Sequence, residues 1–363
     1  MPTADRNGHR HLTRRQTLAT LAAATAASHP LVPAWAAGKV QVVVGGTSFR
    51  GTVGEAHWQT FGQRAVAAGG GEIDVRMLIH GELGAEENLV SGLRRGRVQY
   101  ANLSSLIAST IVPEMALIYI PYLFESEPEA DYVMDRYLTR EYAQLLAKRG
   151  LELIVMYDLG FQQIWSRRKP ILVPSDARGL RFRVAASKSA ELLGRALGAD
   201  LIPLPFTDII PSLQTGLIEA GENGVTLYSR TGTAPEAPHL TVTDHSLAMS
   251  MIVADKRWWD RLDPRHRKIL RDAYPTSAQI RREVRAEIEA DYAQASKLKF
   301  QVHRLTSAQR NQWIAALRPT HAELLRASGP DGQRLYAGIQ QARQDFAATR
   351  RAAAAAATRA MAG

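Results

Sequence analysis

Two arginines stand two residues apart in the middle of this sequence, in the segment Gly179-Leu180-Arg181-Phe182-Arg183-Val184. The alternating character of the segment predicts a strand, on which both arginines point to the same face. A planar guanidinium offers two parallel N–H donors to a carboxylate, and a closed cleft that excludes water strengthens such a pair. Either side chain could bind an acidic ligand or form a structural ion pair. Alternation alone does not show whether Arg181 or Arg183 binds the ligand, because both point to the same face.

Catalytic motifs of the common kinds are absent from the sequence. It lacks a Gly-x-x-x-x-Gly-Lys-Ser/Thr phosphate loop, a Gly-x-Gly-x-x-Gly turn and a Gly-x-Ser-x-Gly nucleophile elbow. The absence of cysteine excludes disulfides, thiolate metal sites and a cysteine nucleophile. The histidines after residue 36 show no metal-ligand pair at i, i+2 or i, i+4; they are His57, His80, His239, His245, His266, His303 and His321. We therefore expect no catalysis, no metal site and no cofactor.

The composition is that of a globular protein with an excess of positive charge. Of the 363 residues, 45% are apolar and 22% are charged, and the formal net charge is +10. The basic clusters are short and have no interleaved aromatic residues on which bases could stack; they are Arg94-Arg95-Arg97, Arg167-Arg168-Lys169, residues 265–271 and Arg281-Arg282. We expect these clusters to be solvated helix faces and predict no nucleic-acid binding.

The first 36 residues have the pattern of an export signal. Arginines come first, an apolar stretch of about ten residues follows, and Ala34-Trp35-Ala36 forms a cleavage site. The stretch is shorter than the ~20 residues of a membrane helix. Arg14 and Arg15 resemble a twin-arginine signal, although Thr17 stands where an aromatic residue is usual; the alternative is an amphipathic surface helix. Cleavage after Ala36 would leave a soluble, exported protein of charge +7.

Beyond residue 36, apolar β-branched runs alternate with segments of helical spacing, which predicts an α/β fold with a parallel sheet. No Gly- or Pro-rich linker divides the chain, and residues 157–160 run from one strand directly into the next. We therefore predict two lobes joined by strands that act as hinges, with a long bridging helix over residues 278–298.

The predicted organisation of the chain follows from that hinge. Residues 37–159 with 249–287 form one lobe, and residues 160–248 with 288–349 form the other. Residues 350–363 are a low-complexity, alanine-rich tail that is expected to fray off the last helix.

The order of motifs in residues 160–223 resembles the solute-binding proteins of tripartite ATP-independent periplasmic (TRAP) transporters, of the dicarboxylate-receptor type. The motifs are Asp176 with Gly179-Leu180 and Arg183, Leu197-Gly198-Ala199, residues 203–208, Leu213-Gln214-Thr215-Gly216, and Glu219-Ala220-Gly221-Glu222-Asn223. Gly81-Glu82-Leu83-Gly84 and Ile120-Pro121-Tyr122-Leu123-Phe124 agree with the resemblance in the first lobe. It implies a two-lobed periplasmic binding protein fold over nearly all of the chain after residue 36.

The resemblance also implies the residues of a ligand site. Arg183 holds the position of the arginine that forms a bidentate ion pair with the ligand carboxylate, and Asn223 that of an amide donor to it. Phe206 matches an aromatic residue of the pocket, with core packing as the alternative. Trp165 is expected in the cleft wall or in the core. Ser104, like its neighbour Ser105, would contact the ligand or cap a helix.

Gln162 departs from the pattern of the family. Many members carry a second arginine two residues after the glycine of the hinge strand, where this chain has Gln162 after Gly160. One arginine and one glutamine favour a monocarboxylate or a keto acid, and disfavour sialic acid or a C4-dicarboxylate.

The sequence thus predicts a periplasmic TRAP solute-binding protein that binds a small organic anion and docks, as a monomer, on the membrane permease. An exported α/β enzyme for an acidic metabolite is one alternative, and a binding protein that feeds a sensor is another. The enzyme would need a nucleophile and a base near Arg183, and the sequence shows no such pair, whereas it does not separate the sensor alternative from the first.

Overall fold

The computed structural model describes residues 38–362. The predicted export signal and its cleavage site lie outside these residues. The strands are β1 Val40–Gly45, β2 Ile73–Leu78, β3 Tyr100–Ser104, β4 Leu151–Ser166, β5 Arg181–Val184, β6 Asp200–Pro203, β7 Ala220–Gly224, β8 His239–Val242, β9 Leu247–Asp255 and β10 Gln301–Arg304.

The helices alternate with these strands over most of the chain. They are α1 Val53–Ala68, α2 Glu86–Arg94, α3 Ser105–Ala108, α4 Glu127–Val133, α5 Thr139–Lys148, α6 Lys188–Ala196, α7 Ile209–Gln214, α8 Val225–Arg230, α9 Thr233–Glu236, α10 Lys256–Arg261, α11 Pro264–Ala273, α12 Ser277–Ala293, α13 Ser307–Leu317, α14 Thr320–Ala327 and α15 Gly332–Ala362. Short 3₁₀ helices cover Pro113–Tyr119, Pro174–Ala177 and Phe206–Asp208, and a π-helical turn at Met134–Leu138 joins α4 to α5.

One long strand runs through both halves of the sheet. The strand order is β2-β1-β3-β9-β4-β7-β5-β6, and β8 pairs with β4 and β10. Residues 151–161 of β4 pair with β9, whereas residues 162–166 pair with β7 and β8. The register shifts between Asp158 and Phe161, where Gly160 has a φ of +79° that favours glycine. This break coincides with the predicted hinge at residues 157–160.

The sheet is mixed, which corrects the expectation of a parallel sheet. β1 with β3, and β5 with β6 and β7, are parallel pairs. β4 is antiparallel to β7, β8 and β9, and β3 is antiparallel to β9. The helical spacing between the early strands indicates parallel crossovers, but it does not show that β9 returns to the centre of the sheet from far along the chain.

Three helical predictions differ from the structure. The predicted helix over residues 278–298 ends at Ala293. Residues 306–326, whose spacing predicts a single helix, form two helices separated at Pro319, because proline cannot donate within a helix. The tail expected to fray continues α15 through residue 362, consistent with the high helix propensity of alanine. No helix among the described residues combines the length and apolarity that a membrane crossing needs.

Helix α12 bridges the two halves of the sheet through charged side chains. Glu283 lies 2.6 Å from His57 Nε2 on α1, and Arg285 donates to Asp158 at 3.1 Å beside the hinge. Asp291 is fully buried and accepts hydrogen bonds from Arg230 of α8 at 2.9 Å and 2.6 Å. The helix therefore holds elements on both sides of the hinge.

We predict that Asp291→Ala lowers the free energy of unfolding by about 3 kcal/mol, the lower end of the range for breaking a buried pair, because Arg230 keeps some contact with water. Urea unfolding measures the change. Asp260→Ala removes an exposed i, i+4 partner of Lys256 and is the matched control; it should cost no more than about 0.5 kcal/mol. Equal losses for the two variants would contradict the structural role of Asp291.

Candidate ligand-binding site

A cavity of about 580 Å³ lies where the two halves of the sheet meet. It is lined by the loop after β1, the start of α2, the ends of β3, β5 and β7, and helices α8 and α12. Its volume falls within the range of small-molecule sites. Of the residues predicted to bind ligand, the cavity brings together Arg183, Asn223, Gln162, Phe206 and Ser104.

Arg183 is a buried cation in the wall of this cavity. Its side chain comes from β5, the residue is 5% exposed, and its Nε donates to the Leu204 carbonyl at 3.1 Å. Among residues 38–362, no carboxylate forms an ion pair with its guanidinium. Burial lowers the pKa of Arg183 to about 10, while Glu222, Glu86 and Glu87 act to raise it. The side chain therefore stays positively charged at neutral pH.

Arg181 has a different environment although it is only two residues away. Its side chain is 43% exposed, and its Nη2 lies 3.2 Å from Glu219 while its Nε donates to the Gly216 carbonyl. The structure thus places Arg181 in a partly exposed ion pair, whereas Arg183 lies in the cavity wall and forms no ion pair with the described residues.

Asn223 is held in a fixed orientation at the end of β7. Its Oδ1 accepts a hydrogen bond from Trp165 Nε1 at 2.9 Å. Because the oxygen is occupied, the amide nitrogen with its two N–H donors is the end that remains for a ligand. Asn223 is itself buried and lines the cavity.

Trp165 lies in the core, the second of the two places expected for it, and does not form part of the cleft wall. The residue is fully buried in an apolar cluster with Leu213 and Leu240 and does not line the cavity. It stands opposite Gly221 in the β4–β7 register, and a side chain at Gly221 would collide with its indole ring. Trp165 therefore affects the cavity through its hydrogen bond to Asn223 and not by lining it.

Gln162, Phe206 and Ser104 line different parts of the cavity. Gln162 is 6% exposed, and its buried Oε1 has no hydrogen-bond partner within the described chain. The ring of Phe206 lies 5.4 Å, centroid to centroid, from that of Phe49. Ser104 caps α3, accepting from the Ile107 N–H at 3.3 Å, and donates to Glu86 at 2.5 Å. Ser104 therefore caps a helix, as one of the two alternatives expected, and it also lines the cavity.

Glu86 is a cavity residue that the sequence analysis missed. It begins α2, and its two oxygens accept from the Ser104 N–H at 3.1 Å and from the Ser104 hydroxyl. Burial raises the pKa of Glu86 to about 7, although these hydrogen bonds and the charge of Arg183 oppose the rise. Acidic residues in a first helical turn usually offset the helix dipole, and nothing in the pattern indicated that this one faces a cavity.

A chain of polar side chains behind the cavity was also missed. His245 Nε2 lies 2.8 Å from Glu222, and its Nδ1 lies 2.8 Å from the Thr243 hydroxyl. These residue types occur in catalytic triads, but all three are buried and none of them lines the cavity. Their position indicates a structural role beside Asn223. Within the described residues, no group of three or more His, Cys, Asp or Glu side chains is arranged to hold a metal ion.

Comparison with known proteins gives a family match over most of the chain. The profile of the family described as "Bacterial extracellular solute-binding protein, family 7" matches residues 47–327. The chain is 28% identical over 254 residues to the C4-dicarboxylate-binding periplasmic protein DctP of Vibrio cholerae, covering 68% of this chain and 74% of that protein. It is 26% identical over 204 residues to the ectoine-binding periplasmic protein TeaA of Halomonas elongata, covering 55% and 59%.

Solved structures share the fold. The sugar acid binding protein DctPAm of Advenella mimigardefordensis, in complex with galactonate, superposes with a TM-score of 0.78 at 22% identity, over 84% of this chain and 99% of that one. A TRAP periplasmic solute binding protein of Sulfurospirillum deleyianum with bound succinate gives 0.77 at 22% identity, over 84% and 99%. These similarities confirm the predicted two-lobed α/β fold.

We predict that Gly221→Ala lowers the free energy of unfolding by about 1–3 kcal/mol, because the new methyl group displaces the Trp165 indole. The matched control is Gly62→Ala in α1, where the new carbon would lie 3.4 Å from Met77 Cε. That change should stabilise the protein by about 0.5–1 kcal/mol, since alanine favours a helix interior. Urea unfolding compares the two, and a Gly221→Ala variant as stable as the wild type would show that the indole is not fixed as described.

Proposed function

Because this chain belongs to family 7 of the bacterial extracellular solute-binding proteins, the solute-binding proteins of TRAP transporters, we propose that it captures a small organic carboxylate in its cavity and delivers it to a membrane permease. Binding without catalysis is sufficient for this role. The proposal places the mature protein in the periplasm as a monomer, exported by the twin-arginine signal in residues 1–36.

The buried guanidinium of Arg183 is the observation that carries this proposal. A cation taken out of water is costly unless a partner compensates it, and the described protein supplies no carboxylate in contact with this one. A ligand carboxylate would supply the partner through two parallel hydrogen bonds. Asn223, with its amide nitrogen left free by Trp165, supports the same carboxylate.

The proposed ligand has a single carboxylate, as a monocarboxylate or a keto acid does. Gln162 stands in the cavity where a second arginine would pair with a second acidic group, and its side chain is neutral. The relatives are named for ligands as different as a C4-dicarboxylate, ectoine and 2,3-diketo-L-gulonate, so membership of the family alone does not select among them.

Closure of the cleft would complete the site. We propose that residues 37–159 with 249–287 move as one lobe against residues 160–248 with 288–349, about the register break at Gly160. The contact of Phe49 with Phe206 supports this proposal, because the two rings come from opposite sides of the cavity and would separate on opening.

We predict that Arg183→Ala weakens ligand binding by roughly 2–5 kcal/mol, because it removes one member of a desolvated charge pair. Arg181→Ala is the matched control, since it removes an equally basic side chain from the same strand outside the cavity, and it should leave affinity nearly unchanged. Arg183→Lys should lose part of the affinity, because an ammonium group cannot donate as a planar fork.

A thermal-shift screen of organic acids identifies the ligand, and calorimetry then compares the variants. The panel includes pyruvate, succinate, glucuronate and galactonate. A ligand present at 100 times its Kd adds about 2.7 kcal/mol to the free energy of unfolding. Binding that is equally strong in wild type and Arg183→Ala would contradict the assignment of Arg183.

A further inference from the structure

The cavity that contains Arg183 also contains carboxylates. Glu86 and Glu87 of α2 and Glu287 of α12 line it, together with Arg183 and the exposed Arg50. Acidic side chains thus outnumber arginines in the lining. Arg230 lies 3.6 Å from Glu287 and offsets its charge, so Glu86 and Glu87 are the acidic groups that a purely anionic ligand would meet, and like charges brought together cost several kcal/mol.

Glu86 and Arg183 line the same cavity and attract each other without forming an ion pair. Each shifts the pKa of the other in the direction expected of opposite charges, yet the two side chains do not form an ion pair. The cavity thus presents a buried guanidinium and a carboxylate that are not paired with each other. A ligand with one end of each sign would fill it and satisfy both groups.

We infer that the ligand is a zwitterion, an amino-carboxylic acid whose carboxylate pairs with Arg183 and whose protonated nitrogen faces Glu86. The inference rests on the proposed function and narrows its ligand class, since an amino acid has one carboxylate and a positive group that a keto acid lacks. Each Glu86 oxygen accepts one hydrogen bond from Ser104 and keeps a lone pair for the ligand nitrogen.

The charged and titratable groups around Glu86 set the pH dependence. Glu87 acts from its own helix, Arg183 from β5, and the hydroxyls of Tyr119 and Tyr157 lie near enough to interact. Burial raises the pKa of Glu86 to about 7, so neutral solution contains both its protonated and its ionised forms. Any charged ligand that binds beside Glu86 must shift this equilibrium.

The sign of that shift distinguishes the two kinds of ligand. A ligand ammonium favours the ionised form, lowers the pKa of Glu86 and releases a proton, so its affinity falls as pH drops through about 7. A ligand with only a carboxylate favours the protonated form and takes up a proton, so its affinity falls as pH rises through about 7.

Calorimetry with matched pairs of small acids tests the inference on the intact protein. The pairs are 4-aminobutyrate with butyrate, 5-aminovalerate with valerate, and phenylalanine with 3-phenylpropionate. At least one amino acid should bind about tenfold or more tightly than its partner, and its affinity should increase from about pH 6 to about pH 8.

Glu86→Gln should abolish this preference and the pH dependence together. Glu82→Gln is the matched control, because Glu82 lies four residues earlier, is exposed and does not line the cavity; it should keep both. The pH dependence of the wild-type protein is an independent measurement, which remains decisive should Glu86→Gln fail to fold.

Failure of the inference differs from failure of the proposed function. Simple carboxylates that bind through Arg183 as tightly as their amino partners would overturn the inference and leave the proposed function standing. A preference for the amine that survives in Glu86→Gln would also overturn it. Absence of binding by every acid in both panels would overturn both.

Discussion

The burial of the Arg183 guanidinium without a carboxylate in contact is the constraint on which the rest of the site depends. A buried cation is tolerated only with hydrogen bonds or nearby opposite charge. The chain provides both, since the Leu204 carbonyl accepts directly from Nε, while Glu222 and Glu86, without forming an ion pair, offset the effect of burial on the pKa of Arg183. Glu222 is itself engaged by His245. The outer nitrogens of Arg183 are left for a partner from solution.

The pairing of the strands determines where the polar groups around Arg183 lie. Adjacent strands carry the polar groups, with Gln162 on β4, Asn223 on β7 and Arg183 on β5. In the pairing of β4 with β7, Trp165 lies opposite Gly221, whose missing side chain makes room for the indole. The indole N–H then occupies the Asn223 oxygen and leaves the amide nitrogen as the end of Asn223 that can donate. Backbone register thus determines the direction of a hydrogen-bond donor.

Much of this site could be predicted from sequence because its residues lie in one segment with motifs in a recognisable order. The burial of each arginine could not be predicted, because alternation places Arg181 and Arg183 on the same face of the strand. Only the packed structure shows that Arg181 is in a partly exposed ion pair and that Arg183 is buried. Trp165 was ambiguous for the same reason. The strands β8 and β10 were missed because four-residue runs give little pattern and pair only through distant residues. Glu86 was missed because its place depends on how α2 packs beside Ser104.

Long-range attraction and short-range selection act through different residues of this protein. The positive net charge comes largely from dispersed arginines, whose field attracts anions of any kind. Inside the cavity the balance is reversed, because Glu86, Glu87 and Glu287 line it together with Arg183 and the exposed Arg50. Under the proposed function, a dianion attracted to the surface would pair one charge with Arg183 and place the other beside carboxylates, because Gln162 is neutral. In the proposed site, selection would therefore depend on the arrangement of opposite charges in the cavity, and the overall charge would affect only how often an anion arrives.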